Sequence, residues 1–195
     1  IVYEEAVRIG PKTGKRILLP LAPYLSMVEI KNLAETAFAL TSKFDGELVI
    51  VRIHEIPPSL ALSPSMISQK TLEQEKKLFE QLQQWVIDYN IKTGPEKKDI
   101  NFHSLILIGR DVVDVILDVV KIEDCDLLML NWYGYKQTKG VMLSSKIDRI
   151  LRESKCDLLV VKDPQPMQSI LVAVHPSARS PYIEQIGEIA GGLKD

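Results

Sequence analysis

Short runs of consecutive apolar residues alternate along this chain with longer stretches in which apolar residues recur every three or four positions. The first run follows Arg16 and ends at Leu21, and the last is 158–161. Uninterrupted apolar runs are typical of strands that are covered on both faces, whereas three-to-four spacing indicates amphipathic helices. The alternation predicts an α/β fold with an open five-stranded parallel sheet and helices on both faces.

The individual elements follow from these runs and from the turn residues between them. The predicted strands are Arg16–Leu21, Glu47–Ile53, Asn101–Ile108, 127–130 and 158–161. The predicted helices are Val28–Lys43, Ser68–Tyr89, a helix that follows Asp111 and reaches Val120, and Ser145–Arg152. We expect Asp111 to cap its helix, because a carboxylate there accepts hydrogen bonds from the first free backbone N–H groups. The stretch 57–65, rich in Pro and Ser, is predicted as a loop.

The chain divides into four predicted regions. Residues 1–14 are a mixed lead-in from an upstream region, 15–163 are the α/β domain, and 164–167 are a short Pro-containing linker. From residue 168 to 195 the pattern of the first strand and helix begins again. Setting Ile17 against Ile170 also aligns Pro23 with Pro176 without a gap, so we expect the start of a second, tandem copy.

Composition and charge argue against nucleic-acid binding and against membrane-spanning helices within this sequence. The formal net charge is −2, which gives no basic field for nucleic acid. The apolar runs are much shorter than the ~18 residues that a membrane-spanning helix needs. Cys125 and Cys156 each precede an apolar strand, and we interpret them as structural thiols in a reducing compartment, in preference to a disulfide or a metal pair.

The remaining titratable residues predict neither a metal site nor a catalytic site. The histidines 54, 103 and 175 lack metal-ligand spacing, and surface or capping roles are the preferred interpretation. Two charged groups are interpreted as solvated helix faces, not ligand sets; they are Asp111, Asp114 and Asp118, and Glu73, Glu75, Lys76 and Lys77. Ser144-Ser145 resembles a helix cap or an anion donor more than a nucleophile. Trp132-Tyr133 could stack on an adenine, but anchoring against a neighbouring domain is preferred.

The Gly-bearing loop after the fourth strand and the closing Cys-Asp-Leu-Leu-Val-Val at 156–161 resemble the universal stress protein family over Lys15–Lys162. The segments 109–112, 126–134 and 156–157 are similar to the type that is fused behind prokaryotic membrane transporters. Glu55-Ile56-Pro57-Pro58 also fits that type. The lead-in Val-Tyr-Glu-Glu-Ala-Val resembles the segment that leaves the last membrane helix of amino-acid permeases.

The resemblance also implies a site. Nucleotide-binding members of the family carry an Asp at the end of the first strand and a G-x2-G-x9-G-[S/T] loop. The Asp position falls on Ala22, and on His175 in the second copy; the loop positions are assigned to Gly134, Gln137, Ser144 and Ser145. The candidate nucleotide-binding residues of this degenerate motif are Gly109, Gly134, Gly140, Ser144 and Ser145. No cofactor is expected in the main interpretation, and ATP or AMP in the alternative.

The resemblance favours a non-catalytic regulatory or assembly domain of a prokaryotic transporter of the amino-acid permease type, at the cytoplasmic face of the cell membrane. Its partners would be the membrane portion of the same polypeptide and, through the apolar strand 158–162, the second copy or a second protomer. Two alternatives stay open. One is a free-standing stress protein that binds ATP or AMP, and the other is the same domain on a sodium/proton or cation–chloride transporter.

Overall fold

The computed structural model describes residues 2–9, 14–93, 100–132 and 145–162, together with 184, 186–188 and 191. Its strands are β1 (Val2–Ile9), β2 (Arg16–Leu21), β3 (Glu47–Glu55), β4 (Asn101–Gly109), β5 (Leu127–Trp132) and β6 (Asp157–Lys162). Its helices are α1 (Met27–Lys43), α2 (Gln69–Thr93), α3 (Val112–Ile122) and α4 (Ser145–Glu153), with a 3-10 turn at Pro64–Met66. The five strands and four helices predicted for the α/β domain are confirmed, with differences of a few residues at their ends.

The strands form one sheet in the order β1-β4-β3-β2-β5-β6. β2, β3, β4, β5 and β6 run parallel, which confirms the predicted five-stranded parallel sheet. The chain starts at the central strand β2, builds outward through β3 and β4, and then returns to the other side of β2 for β5 and β6. The strand order therefore reverses beside β2, and a crevice opens there at the carboxyl ends of the strands.

The sixth strand was not predicted. β1 pairs antiparallel with β4, from Val2 opposite Ile108 to Ile9 opposite Phe102. The register shifts between Glu4 and Ala6, which marks a β-bulge or similar irregularity. Residues 2–9 of the predicted lead-in therefore form an outer strand of the described sheet.

Two apolar layers hold the helices on the sheet. The first layer joins α1 and α2 to one face and contains Ile17, Leu33 and Leu82. The second joins α3 and α4 to the other face and contains Leu18 and Val119. Neighbouring residues of β2 enter opposite layers, because side chains alternate along a strand. Both faces of the parallel sheet are thus covered, as the uninterrupted apolar runs predict.

Side chains that cap helix ends fix where two of the helices begin. Ser26 and Glu29 form a reciprocal capping box at the start of α1. Asp111 accepts hydrogen bonds from the backbone N–H groups of Val113 and Asp114, and its predicted role as the cap of α3 is confirmed. The cap of α3 stands directly after β4 and so orients this helix at the carboxyl edge of the sheet.

A buried ionic cluster lies at the opposite, amino edge of the sheet. The Nε atom of Arg16 donates to Oε2 of Glu47 at 2.8 Å, and its guanidinium also pairs with Glu123. His103 lies in the same cluster, with its Nδ1 atom 3.8 Å from Oε2 of Glu123. The prediction of a surface or capping role for His103 is wrong, since the residue is only 6% exposed. Cys125 is a buried free thiol, and Cys156 is a half-buried one.

Several predictions concern parts of the chain outside the described residues. These are Gly134, Gly140 and Ser144, the linker 164–167, and most of the proposed second copy at 168–195. The residues described near the C terminus, 184, 186–188 and 191, are helical. Among the helices of the described residues, none is long and apolar enough to cross a membrane.

Candidate functional site

A cavity of about 790 Å³ opens at the carboxyl ends of β2, β3 and β5. It lies where the strand order reverses, which is the position at which open α/β sheets bind ligands. The loop after β2 contributes Ala22 and Tyr24, α3 contributes Val112 and Ile116, and the first turn of α4 contributes Lys146. A volume of this size falls in the range of sites for small molecules and cofactors.

The walls of the cavity are mainly apolar, and a small number of polar groups interrupt them. The polar lining side chains are His54, Glu55, Ser68, Thr71, Asn131 and Lys146, with the hydroxyl of Tyr24. Apolar walls with few, separated polar groups suit a ligand that has a flat or apolar body and a polar end. Tyr24 is 76% exposed, so its ring stands at the mouth of the cavity.

A buried ion pair beside the cavity lining holds the end of β2 and the loop that follows it. The guanidinium of Arg52 meets the carboxylate of Glu75 through two contacts, Nε to Oε2 at 2.7 Å and Nη2 to Oε1 at 2.9 Å. Its remaining nitrogen, Nη1, donates to the backbone oxygens of Leu21 and Ala22 at 3.2 and 2.7 Å. Arg52 thus ties the end of β2, which lines the cavity, to helix α2.

The burial of Glu75 corrects a sequence-based interpretation. Glu75 is 4% exposed, whereas its neighbours Glu73, Lys76 and Lys77 are exposed as predicted for a solvated face. Burial alone would raise the pKa of Glu75, but hydrogen bonds from His54 and Arg52 outweigh it and hold the pKa below the usual 4.5. The Nε2 atom of His54 lies 3.4 Å from Oε1 of Glu75. His54 therefore connects the ion pair to the cavity that it lines.

Charged side chains also surround the start of α4. The Nζ atom of Lys146 lies 3.3 Å from Oε2 of Glu55, and both residues line the cavity. The guanidinium of Arg149 contacts Asp111 at 3.2 Å and also pairs with Asp114. Hydrogen bonding from the backbone N–H of Asp114 holds the pKa of Asp111 below its usual 3.8. The predicted solvated face at Asp111 and Asp114 is thus in part a contact between α3 and α4.

Asn131 is one of several residues of this site that the sequence analysis missed, together with Tyr24 and Lys146. The Oδ1 and Nδ2 atoms of Asn131 are both buried, and neither has a hydrogen-bond partner in the described part of the chain. A buried carboxamide without partners is costly, so the position favours a bound group that supplies them. The residue is the next-to-last of β5, where it lines the cavity beside Leu130.

The spacing of the Gly motif could have found Asn131. Nine residues separate Gly134 from Ser144, and two separate Asn131 from Gly134. The G-x2-G-x9-G-[S/T] pattern therefore runs through Asn131, Gly134, Ser144 and Ser145. The earlier assignment of its second position to Gln137 is wrong, because only six residues lie between Gln137 and Ser144.

The other predicted site residues have separate positions. Gly109 ends β4, where its backbone oxygen accepts from the N–H of Ile56 at 2.9 Å, and it is not among the lining residues described for the cavity. Ser145 is the first residue of α4, next to Lys146. Ala22, where the resemblance stated above would place an Asp, lines the cavity. Gly134, Gly140 and Ser144 lie outside the described residues.

Comparison with known proteins agrees with this architecture. The model of the universal stress protein family matches residues 15–162. A curated relative, universal stress protein MJ0531 of Methanocaldococcus jannaschii, is 20% identical over 168 residues, which are 84% of this chain and 91% of the relative.

Two solved structures share the fold at low sequence identity. A putative universal stress protein from Pseudomonas aeruginosa UCBPP-PA14 is 16% identical with a TM-score of 0.53, over 93% of this chain and 59% of that one. A universal stress protein family member from Burkholderia pseudomallei is 16% identical with a TM-score of 0.52, over 77% and 96%. Because the family model matches more than half of its residues, the chain belongs to the universal stress protein family.

Proposed function

We propose that this chain is a non-catalytic binding module that takes an adenine nucleotide, or a ligand of the same class, in the cavity beside β2 and β5. The observation that carries the proposal is the cavity of about 790 Å³, with the carboxamide of Asn131 in its wall and no hydrogen-bond partner for that carboxamide among the described residues. An empty apolar cavity needs no buried amide, whereas a heterocycle or a ribose would supply both a donor and an acceptor to it.

The two ends of the cavity suit the two ends of such a ligand. The ring of Tyr24 stands at the mouth beside apolar residues of the β2 loop, and a purine face stacks well on an aromatic side chain. In another part of the lining, which we take as the phosphate end, Lys146 and the first backbone N–H groups of α4 provide positive charge for a phosphate. A ligand that spans both ends would cover the crevice over β2 and β5.

We propose binding without chemistry because the described lining residues offer no catalytic arrangement. Glu55 is the carboxylate among the described lining residues, and it is paired with Lys146. The lining hydroxyls of Ser68 and Thr71 have no carboxylate or imidazole in hydrogen-bond contact in that part of the chain, and Ser68 instead bonds Thr71 at 2.7 Å. A bound ligand would then act by changing the conformation of the domain, without being converted.

Titration calorimetry with AMP, cyclic AMP and ATP tests the proposal. We expect at least one of them to bind with a dissociation constant below about 100 μM, corresponding to roughly 5.5 kcal/mol. Thr71→Trp places a large ring in the cavity and should abolish the binding heat. Gln83→Trp is the matched control, because Gln83 is also a half-buried residue of α2 but does not line the cavity. Absence of binding for all three ligands would contradict the proposal.

A second candidate function is the regulatory or assembly domain of a prokaryotic transporter of the amino-acid permease type, at the cytoplasmic face of the membrane. Its support is the similarity of segments 109–112, 126–134 and 156–157 to transporter-fused members of the family. The sequence encoded upstream of Ile1 tests it. Several membrane-spanning helices there would support it, and their number would separate permeases from sodium/proton or cation–chloride transporters. A soluble upstream sequence would contradict it.

Either function allows pairing of domains through β6. This strand ends the described sheet, and Leu158, Leu159 and Val160 are only half-buried on it. We propose that β6 pairs with a second copy of the fold, in the same chain or in another protomer. Sedimentation analysis tests this pairing. Val160→Lys should weaken a dimer, whereas Leu151→Lys on the exposed surface of α4 should not.

A further inference from the structure

We infer that the Glu55–Lys146 pair makes this cavity select nucleotides of low negative charge, such as a nucleoside or a monophosphate ester, over triphosphates. The inference rests on the proposed nucleotide binding and specifies which ligands of that class the site accepts. Its basis is the juxtaposition of one cation and one carboxylate at the phosphate end of the cavity.

The pair is placed where a phosphate would lie. Glu55 is the last residue of β3, and Lys146 is the second residue of α4. Their Oε2 and Nζ atoms are 3.3 Å apart, and both residues line the cavity. The side chains are 48% and 55% exposed, so a ligand phosphate can reach them without rearrangement of the core.

Other cations near this end of the cavity are already engaged. Arg149 contacts Asp111, Asp114 and Glu153. Arg110 donates to the backbone oxygens of Ile56 and Pro57. Lys146 is therefore the accessible cation among the described lining residues, and it is paired with Glu55.

The charge balance of the pair decides how much phosphate the site tolerates. One phosphate can share Lys146 with Glu55, or it can displace Glu55 from Lys146. Either arrangement costs one repulsive contact between the phosphate and the carboxylate of Glu55. Each further phosphate adds negative charge within a few ångströms of the same carboxylate, and the repulsion grows with that charge.

The experiment compares adenosine, AMP and ATP by titration calorimetry at low ionic strength without divalent cations. We expect the wild-type chain to bind AMP about tenfold more tightly than ATP, on the scale of one or two close charge contacts. Glu55→Gln should tighten ATP more than AMP and reduce this ratio to about two or three. Lys146→Met should weaken AMP and leave adenosine nearly unchanged. Glu35→Gln is the matched control, because Glu35 is an exposed carboxylate paired with Lys31 away from the cavity.

The outcomes separate the inference from the proposed function. If adenosine or AMP binds but Glu55→Gln leaves the ratio of the AMP and ATP affinities unchanged, the inference is overturned and the proposed function is kept. Tighter binding of ATP than of AMP by the wild-type chain would do the same. Absence of binding by every ligand would overturn both. In the wild-type chain itself, the preference for AMP should shrink as salt is raised, and a preference that salt does not alter would overturn the inference without any variant.

Discussion

Arg52 of β3 and Glu75 of α2 are joined by two parallel contacts, 2.7 and 2.9 Å long, although 22 residues separate them in sequence and both are buried. Arg52 also holds the backbone oxygen of Ala22 at 2.7 Å. The pair therefore links the long helix α2 to the wall of the cavity. A two-pronged contact of this kind fixes orientation as well as distance.

Removing one partner of the pair should be strongly destabilising. We expect Glu75→Leu to lower the free energy of unfolding by about 3–5 kcal/mol, because it leaves the guanidinium of Arg52 buried without a counter-charge. The measurement is urea unfolding followed by circular dichroism. Glu80→Leu, at an exposed position of the same helix, should change the stability by no more than about 0.5 kcal/mol.

The double variant Arg52→Met/Glu75→Leu should be more stable than Glu75→Leu alone by at least about 2 kcal/mol, since no buried charge then stays unpaired. A double variant as unstable as the single one would show that the cost comes from lost packing and not from the charge. The same double variant should bind the cavity ligand more weakly, because the carbonyl groups of Leu21 and Ala22 lose their donor.

The pair also predicts a direction for acid unfolding. The pKa of Glu75 is below its usual 4.5 in the folded chain, so its contribution to stability is fully present above pH 4.5. That contribution is lost as the pH falls through the lowered pKa, because the unfolded chain then binds a proton more readily. Urea midpoints measured from pH 7 to pH 3 should fall less steeply for Arg52→Met/Glu75→Leu than for the wild-type chain. Parallel curves would contradict this assignment.

Gly109 is required for packing between β4 and α3. A Cβ atom at this position would lie 2.1 Å from Cγ2 of Val115, a residue that is 2% exposed. Since a valine has little rotamer freedom in a helix, we expect Gly109→Ala to cost about 1–3 kcal/mol of stability. Val115→Ala in the same chain should recover part of that cost. A Gly109→Ala variant of normal stability with impaired nucleotide binding would instead favour a direct role in the site.

The buried thiol of Cys125 should be nearly inert. Burial raises its pKa to about 12, so that almost no thiolate is present at pH 8. In a Cys156→Ser background, we expect labelling by Ellman's reagent to be roughly a thousandfold slower than after unfolding in urea. Similar rates in the native and unfolded chain would mean that the second layer of the core opens readily around this residue.

Much of the fold could be predicted because each parallel strand contains a short run of consecutive apolar residues. Arg16–Leu21 was predicted with the bounds that the structure gives, and the cap at Asp111 was correctly identified. The strand Val2–Ile9 was missed for a physical reason. The register shift between Glu4 and Ala6 breaks the alternation by which a half-buried strand is recognised in sequence.

The polar part of the site was much less accessible to sequence reasoning. Glu75 stands among charged neighbours and has the periodicity of an exposed face, and only the approach of Arg52 from β3 explains why it is buried. Asn131 could have been found by counting the motif, but the lack of a hydrogen-bond partner for its carboxamide among the described residues depends on how β5 meets the cavity. Contacts between distant elements decide such cases, and local patterns do not record them.

The two outer strands of the described sheet differ in regularity, and this difference limits growth. β6 matches its neighbour residue by residue from Asp157 to Lys162, whereas β1 slips at Glu4. Two copies that joined through their regular sides would leave only the irregular sides facing outward. Such an assembly would stop at a dimer, because the irregular outer strands would not add further copies edge to edge.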